Sequence, residues 1–186
     1  MGRAKIVVLC EDVCHEVLAR RILGKLGFTH HDLRVERARG GKGSAEQFVR
    51  QRFPQELSAI RDRSHRMQVA IIVLTDADKL AVDDRVGQLR DACVARGLPA
   101  PGPEDSLMFV VPRRNISTWI AYLLQGEADE EQGRDSCDNT DDCRRAAERL
   151  WEMCQAKRLG GKAPPSLQEA CRQYNALADQ LRQMTR

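Results

Sequence analysis

The chain has 186 residues, of which 42% are hydrophobic and 31% charged, with a formal net charge of +3. This composition is typical of one soluble globular domain, and a chain this long can fold without a metal or a disulfide. It contains no apolar run near the ~20 residues of a membrane span, and 4% aromatic residues argue against a stacking platform for single-stranded nucleic acid. The first ten residues do not resemble a secretion signal, and seven irregularly spaced cysteines indicate reduced thiols, so we expect a cytoplasmic protein.

The charge is unevenly distributed along the chain. Residues 1–66 carry 14 basic and 8 acidic side chains, whereas residues 127–143 carry 1 basic and 8 acidic side chains. The basic first third can attract a polyanion such as nucleic acid, although a solvated surface explains the charge equally well. We predict that the acidic segment competes with nucleic acid for the basic face.

Apolar patterns alternate between two periods through the first 124 residues. Short continuous or alternating apolar runs predict strands at 4–10, 33–38, 69–75 and 107–111. Apolar residues at helical spacing predict helices at 12–26, 44–63, 83–96 and 116–124. Ser44 and Gln47 form a capping box for the second helix, and Pro54 is expected to break or kink it. This order predicts an α/β, Rossmann-like fold with a mostly parallel four-stranded sheet flanked by helices.

The last third of the chain has a different character. Residues 127–142 are acidic and polar, which predicts a loop, and helical patterns follow at 142–157 and 166–184. We therefore divide the chain into an α/β domain over 1–124 and an extension over 125–186, consisting of an acidic loop and C-terminal helices.

Acidic side chains directly follow two of the predicted strands. Glu11 comes after the first strand, and Asp76 and Asp78 come after the third. Ligands of parallel sheets bind at the carboxyl ends of the strands, where these three carboxylates would converge and repel one another. A divalent cation relieves such repulsion, and oxygen ligands suit Mg²⁺ or Mn²⁺. Alternatively, Asp76 and Asp78 only form a turn and cap a helix.

The strand-end Glu11 and the later strand-end Asp76 and Asp78 resemble the toprim domain of topoisomerases, primases and overcoming-lysogenization-defect nucleases. The nuclease branch often has a second Glu shortly after the first, which Glu16 matches; a favourable charge in the first helical turn explains Glu16 equally well. The resemblance covers roughly residues 4–124.

Further positions resemble a small, stand-alone toprim-like group. These are Lys42 in a glycine-rich loop and residues 115–119 after the fourth strand. Two positions differ from the pattern, because Asp12 stands where the family usually has Gly and Ser117 stands where the small group has Glu.

The resemblance implies a divalent-metal-dependent nuclease that acts on nucleic acid, with DNA as the expected substrate. Glu11 would be a general acid or base or a metal ligand, Asp76 and Asp78 would hold Mg²⁺ (or Mn²⁺), and Glu16 would hold a second ion. Five cations would bind phosphates: Lys42, Lys79, Arg39, Arg113 and Arg114. The resemblance also implies a role in bacterial anti-phage defence, with an ATPase subunit encoded elsewhere as partner.

Two other functions stay open at this stage. The differences at Asp12 and Ser117 favour a non-catalytic toprim-like subunit that binds nucleic acid or a protein partner. A haloacid-dehalogenase-like metal phosphatase would use Asp76 as its nucleophile, but Lys79 does not fit that motif and Glu11 has no role in that mechanism.

Other residues are better explained by packing than by chemistry. Cys10, Cys14 and His15 lie around the start of the first helix, but burial in the core explains them better than a zinc site does. Trp119 is expected in the core, on the apolar face of the fourth helix.

Overall fold

The computed structural model describes residues 5–39, 44–64, 69–132 and 139–184. Its four strands are β1 (Lys5–Cys10), β2 (Leu33–Arg37), β3 (Val69–Leu74) and β4 (Leu107–Val110). Its six helices are α1 (Val13–Lys25), α2 (Ala45–Ser64), α3 (Val82–Val94), α4 (Ile116–Gln125), α5 (Thr140–Gln155) and α6 (Pro165–Met184). Every element lies within two residues of its predicted bounds. Among the described residues, no helix combines the length and the apolar character needed to cross a bilayer.

The four strands form one sheet in the order β2-β1-β3-β4, and all neighbouring strands are parallel. The predicted α/β class with a Rossmann-like parallel sheet is therefore confirmed. The central strands β1 and β3 have neighbours on both sides, and Cys10 pairs with Leu74 at their carboxyl ends. Burial on both faces explains why these two strands are continuous apolar runs in the sequence.

Alternate residues of the central strands belong to two separate hydrophobic clusters. Ile6 and Val8 of β1 pack on one face of the sheet with side chains of α1, α4, α5 and α6. Val7 and Leu9 pack on the other face with side chains of α2 and α3. The fold is thus a sheet between two helical layers, and both helices of the C-terminal extension contribute to the first cluster.

Helix α2 continues through a proline. The Ser44 hydroxyl accepts a hydrogen bond from the Gln47 N–H at 3.1 Å, which is the predicted N-terminal cap. Pro54 lies inside the helix and does not end it, contrary to a predicted break. Pro54 is buried on the core-facing side of α2, so tertiary packing offsets the lost backbone hydrogen bond.

Helix α6 is tied to the α/β core by buried polar contacts. The indole N–H of Trp119 donates to the Ser166 hydroxyl at 2.8 Å, and this hydroxyl donates to Glu130 Oε2 at 2.6 Å. Trp119 is fully buried, which confirms its predicted place in the core. These bonds satisfy polar groups that would otherwise be costly to bury at the first turn of α6.

Among the residues that the structure describes, four cysteines form two disulfides. Cys14 at the start of α1 is bonded to Cys143 at the start of α5, and Cys154 of α5 is bonded to Cys171 of α6. The prediction of unpaired thiols is therefore wrong for these residues. The paired cysteines are 129 and 17 residues apart in the sequence, so their spacing did not indicate the pairing. Packing of the helices brings the Cα atoms of each pair to 5.6 Å.

Candidate metal centre

The parallel pairing of β1 and β3 brings two of the predicted site residues together. Both strands end at the same edge of the sheet, so Glu11 lies beside the segment that follows β3. Glu11 Oε1 accepts a hydrogen bond from the Asp76 N–H at 3.0 Å and another from the Thr75 hydroxyl. The two carboxylates therefore belong to one cluster at the carboxyl edge of the central strands.

The Glu11 carboxyl lies in an environment that disfavours its negative charge. Burial and the nearby Asp76 carboxylate together raise the pKa of Glu11 to about 7, although the hydrogen bond from Thr75 acts to lower it. A carboxyl group with a pKa near neutrality suits general acid or base catalysis. The same environment also suits a cation, whose positive charge would offset the repulsion between Glu11 and Asp76.

Asp78 lies at the outer side of this cluster. Its backbone has a φ of 54°, a left-handed conformation that aspartate tolerates better than most residues, and its N–H donates to the carbonyl of Arg114 at 3.2 Å. The side chain is 59% exposed. Burial and the Asp76 carboxylate raise the pKa of Asp78. Asp78 is thus held by its backbone, with its carboxylate at the solvent side.

A buried arginine supports the segment that carries both aspartates. Arg85 of α3 is 5% exposed and donates to the carbonyl of Asp76 at 2.9 Å and to Asp78 Oδ2 at 3.1 Å. It also forms an ion pair with Glu46 of α2 at 2.8 Å. Sequence reasoning did not identify Arg85. The feature of the sequence that could have indicated a buried role for Arg85 is its position in the apolar stripe of α3, one turn before Leu89.

Sequence analysis named Asp12 only as a difference from the toprim pattern and assigned His15 to core packing, so it did not place either residue in this cluster. Asp12 is the N-cap of α1, and its Oδ1 accepts a hydrogen bond from the His15 N–H at 2.8 Å. The imidazole of His15 is fully buried, with Nδ1 3.1 Å from Asp12 Oδ1 and Nε2 3.2 Å from Asp76 Oδ1. The signal in the sequence was an Asp-x-x-His spacing directly after a strand-end Glu.

The nearby charges shift the pKa values of His15 and Asp12. Burial alone would lower the pKa of His15, but the Asp76 and Asp12 carboxylates outweigh burial and hold the pKa well above its usual value. Burial would raise the pKa of Asp12, yet the adjacent His15 imidazole and the hydrogen bond that Asp12 accepts from the His15 backbone N–H lower it to about 2. Ligand atoms of Asp12, His15 and Asp76 lie within 4.8 Å of one another, so this group is a candidate metal centre.

Glu16 lies in a different set of contacts. Its carboxylate forms ion pairs with Arg20 at 2.7 Å and with Arg37 at 3.2 Å. The structure therefore places Glu16 with two guanidinium groups of α1 and β2, and it is not in the group formed by Asp12, His15 and Asp76.

The five residues predicted to bind phosphate differ in their surroundings. Arg113 donates to both carboxylate oxygens of Glu131, each at 3.1 Å, and Arg114 donates to the backbone carbonyl of Glu131 at 2.9 Å. Lys79 and Arg39 are exposed. Lys42 lies outside the described residues.

Comparison of the chain with models of protein families, with curated proteins and with solved structures found no match.

Proposed function

We propose that the protein is a divalent-metal-dependent nuclease of the toprim type, with DNA as its substrate. The observation that carries the proposal is the meeting of Glu11 and Asp76 at the carboxyl ends of the two central parallel strands. Ligand sites of open α/β sheets lie at this edge. The raised pKa of Glu11, caused by burial and by the charge of Asp76, supports a site that a cation would complete.

Glu11, Asp76 and Asp78 are the residues that would hold Mg²⁺ or Mn²⁺, since carboxylate oxygens are preferred ligands of both ions. The ion would supply activation of water and stabilisation of the leaving phosphate oxygen. Where Glu11 does not itself ligate the ion, its carboxyl, with a pKa raised to about 7 by burial and the Asp76 charge, is placed to move a proton during cleavage. Arg85 keeps Asp76 and Asp78 in place through the contacts with their carbonyl and carboxylate oxygens.

The test is cleavage of supercoiled and linear DNA by the full chain with Mg²⁺, Mn²⁺ or EDTA. Asp76→Asn should lower the cleavage rate by roughly 100-fold or more, because a bound ion contributes several kcal/mol to the transition state. The matched control is Asp62→Asn, which makes the same chemical change on the exposed side of α2. Cleavage that survives in Asp76→Asn, or that is equally weak in both variants, would contradict the proposal.

A non-catalytic role is the second candidate, and the contacts of Glu131 favour it. The two arginines that would bind phosphate are engaged by an acidic side chain of the same protein. Metal binding that is lost in Asp76→Asn, without DNA cleavage by the wild type, would support this candidate. Cleavage that begins only when an ATPase subunit is added would instead support the anti-phage nuclease implied by the toprim resemblance.

We further expect that Glu131 competes with nucleic acid for Arg113 and Arg114. Glu131→Gln should tighten DNA binding by about two- to fivefold at low salt, because exposed ion pairs contribute up to ~1 kcal/mol each. Glu127→Gln is the control, since Glu127 is exposed and the net charge changes equally. The measurement is fluorescence anisotropy with labelled duplex DNA at matched salt. Equally tighter DNA binding in both variants would mean that only the overall charge matters, and it would contradict a competition between Glu131 and nucleic acid.

A further inference from the structure

His15 is a buried side chain whose surroundings are not explained by apolar packing. It is fully buried at the start of α1, yet both ring nitrogens face carboxylate oxygens. Among the described residues, neither nitrogen of His15 has an aligned hydrogen-bond partner, and the same is true of Asp76 Oδ1. The neighbouring carboxylate oxygens lie at 3.1 and 3.2 Å without hydrogen-bond alignment, so a bound cation in line with Nε2 and Asp76 Oδ1 would complete this arrangement.

The spacing of these atoms fits a shared metal ion. His15 Nε2 and Asp76 Oδ1 are 3.2 Å apart. Two ligand atoms that are each about 2.1 Å from one ion lie about 3.0–3.4 Å apart at octahedral or tetrahedral angles. The pair therefore has the separation of two neighbouring ligands of one ion.

Asp12 lies on the opposite side of the imidazole ring. Its Oδ1 is 3.1 Å from His15 Nδ1, whereas Asp76 is beside Nε2. A histidine that binds a metal through one nitrogen commonly donates its other N–H to a carboxylate, which fixes the ring and its tautomer. Asp12 is also the N-cap of α1, so its position is set by the helix that carries His15.

We propose that His15 Nε2 and Asp76 Oδ1 ligate one divalent transition-metal ion, with Asp12 as the positioning residue that orients the imidazole. An imidazole ligand favours ions such as Mn²⁺, Co²⁺ or Zn²⁺ over Mg²⁺, which prefers oxygen ligands alone. The inference specifies which ion the proposed nuclease would use, and only this use of the ion rests on the proposed function. The binding itself is a separate property of these three side chains.

The test measures the ion directly on the full chain, freed of metal by chelation. Isothermal titration with Mn²⁺, Co²⁺ and Mg²⁺ should give one site that binds Mn²⁺ and Co²⁺ at least about tenfold more tightly than Mg²⁺. His15→Gln should remove this preference, and Asp12→Asn should weaken Mn²⁺ binding by about 10- to 100-fold. The control is His30→Gln, because His30 is exposed and far along the chain from α1's first turn.

A spectroscopic readout separates ligation from a structural role. Electron spin-echo modulation of the Mn²⁺-loaded wild type should show one directly bound imidazole nitrogen, a result that needs no variant and therefore no assumption about folding. Absence of this nitrogen signal, or equal affinities for Mn²⁺ and Mg²⁺ in the wild type, would overturn the inference. His15 would then be an imidazolium held between two carboxylates.

The outcome also separates this inference from the proposed nuclease. A nitrogen-ligated Mn²⁺ in a protein that cleaves no DNA upholds the metal site and contradicts the nuclease. DNA cleavage supported by an ion without a nitrogen ligand upholds the nuclease and contradicts the role of His15.

Discussion

Replacing Arg85 with methionine is expected to lower the free energy of unfolding by about 2–4 kcal/mol and to abolish tight metal binding at the candidate centre. Arg85 is buried, and its guanidinium donates to the carbonyl of Asp76 and to the Asp78 carboxylate. Methionine fills a similar volume but donates no hydrogen bond. The carbonyl of Asp76 would lose its partner, and Glu46 would lose the ion pair that links α2 to α3.

Urea unfolding and metal titration of the same preparation measure these two effects. Arg90→Met is the matched control, because Arg90 lies on the exposed side of the same helix. Arg85→Lys keeps the positive charge but not the fork of donors, so it should restore only part of the stability. Ordinary surface substitutions change the free energy of unfolding by less than about 1 kcal/mol. If the free energies of unfolding of Arg85→Met and Arg90→Met differ by no more than this, Arg85 does not support the segment that carries Asp76 and Asp78.

The second large effect is expected from the disulfide between Cys14 and Cys143. It closes a loop with a sequence separation of 129 residues, for which the chain-entropy model gives a stabilisation of about 5 kcal/mol. The disulfide between Cys154 and Cys171 closes a loop with a separation of 17 residues, for which the model gives about 3 kcal/mol. Loss of the longer cross-link should therefore destabilise the fold more than loss of the shorter one.

Thermal unfolding with and without reductant tests this order. The Cys14→Ala/Cys143→Ala variant should melt at a lower temperature than Cys154→Ala/Cys171→Ala. The control is the variant that lacks all four cysteines, whose melting temperature should not respond to reductant. Among the described residues, the two remaining cysteines, Cys10 and Cys93, are unpaired and buried, so neither of them supplies an alternative response. An unchanged melting temperature of the wild type in reductant would contradict a stabilising role for both disulfides.

The predicted elements depend on local patterns, and this explains why they were found. The strands β1 and β3 are buried on both faces, so every residue except the exposed Lys5 at the start of β1 is apolar, and the pattern is visible without any knowledge of neighbours. Helix starts are marked by capping residues such as Ser44, whose hydroxyl accepts a bond from three residues ahead. Glu11 and Asp76 were identified because the carboxyl end of a strand is also a local feature.

The partners of these carboxylates depend on information that lies far apart in the chain. Strand order decides that Glu11 lies beside Thr75, since β1 pairs with β3 and not only with its sequence neighbour β2. The rotation of α3 about its axis decides that Arg85 points toward the segment after β3. Strand order leaves no periodic signal. The apolar stripe of α3 places Arg85 on the buried side of the helix but does not identify its partners, so sequence reasoning proposed a cluster of acids without the arginine that supports it.

The sequence by itself determined the α/β class, the order of elements and the edge of the sheet where acidic side chains collect, because hydrophobic periodicity and strand ends are local properties. Only the tertiary structure decided that His15 faces Asp76, that Glu16 also pairs with Arg37 of β2, and that Cys14 reaches Cys143. These pairings follow from how helices and strands pack, where a rotation of one helix by a single residue position would exchange one set of partners for another.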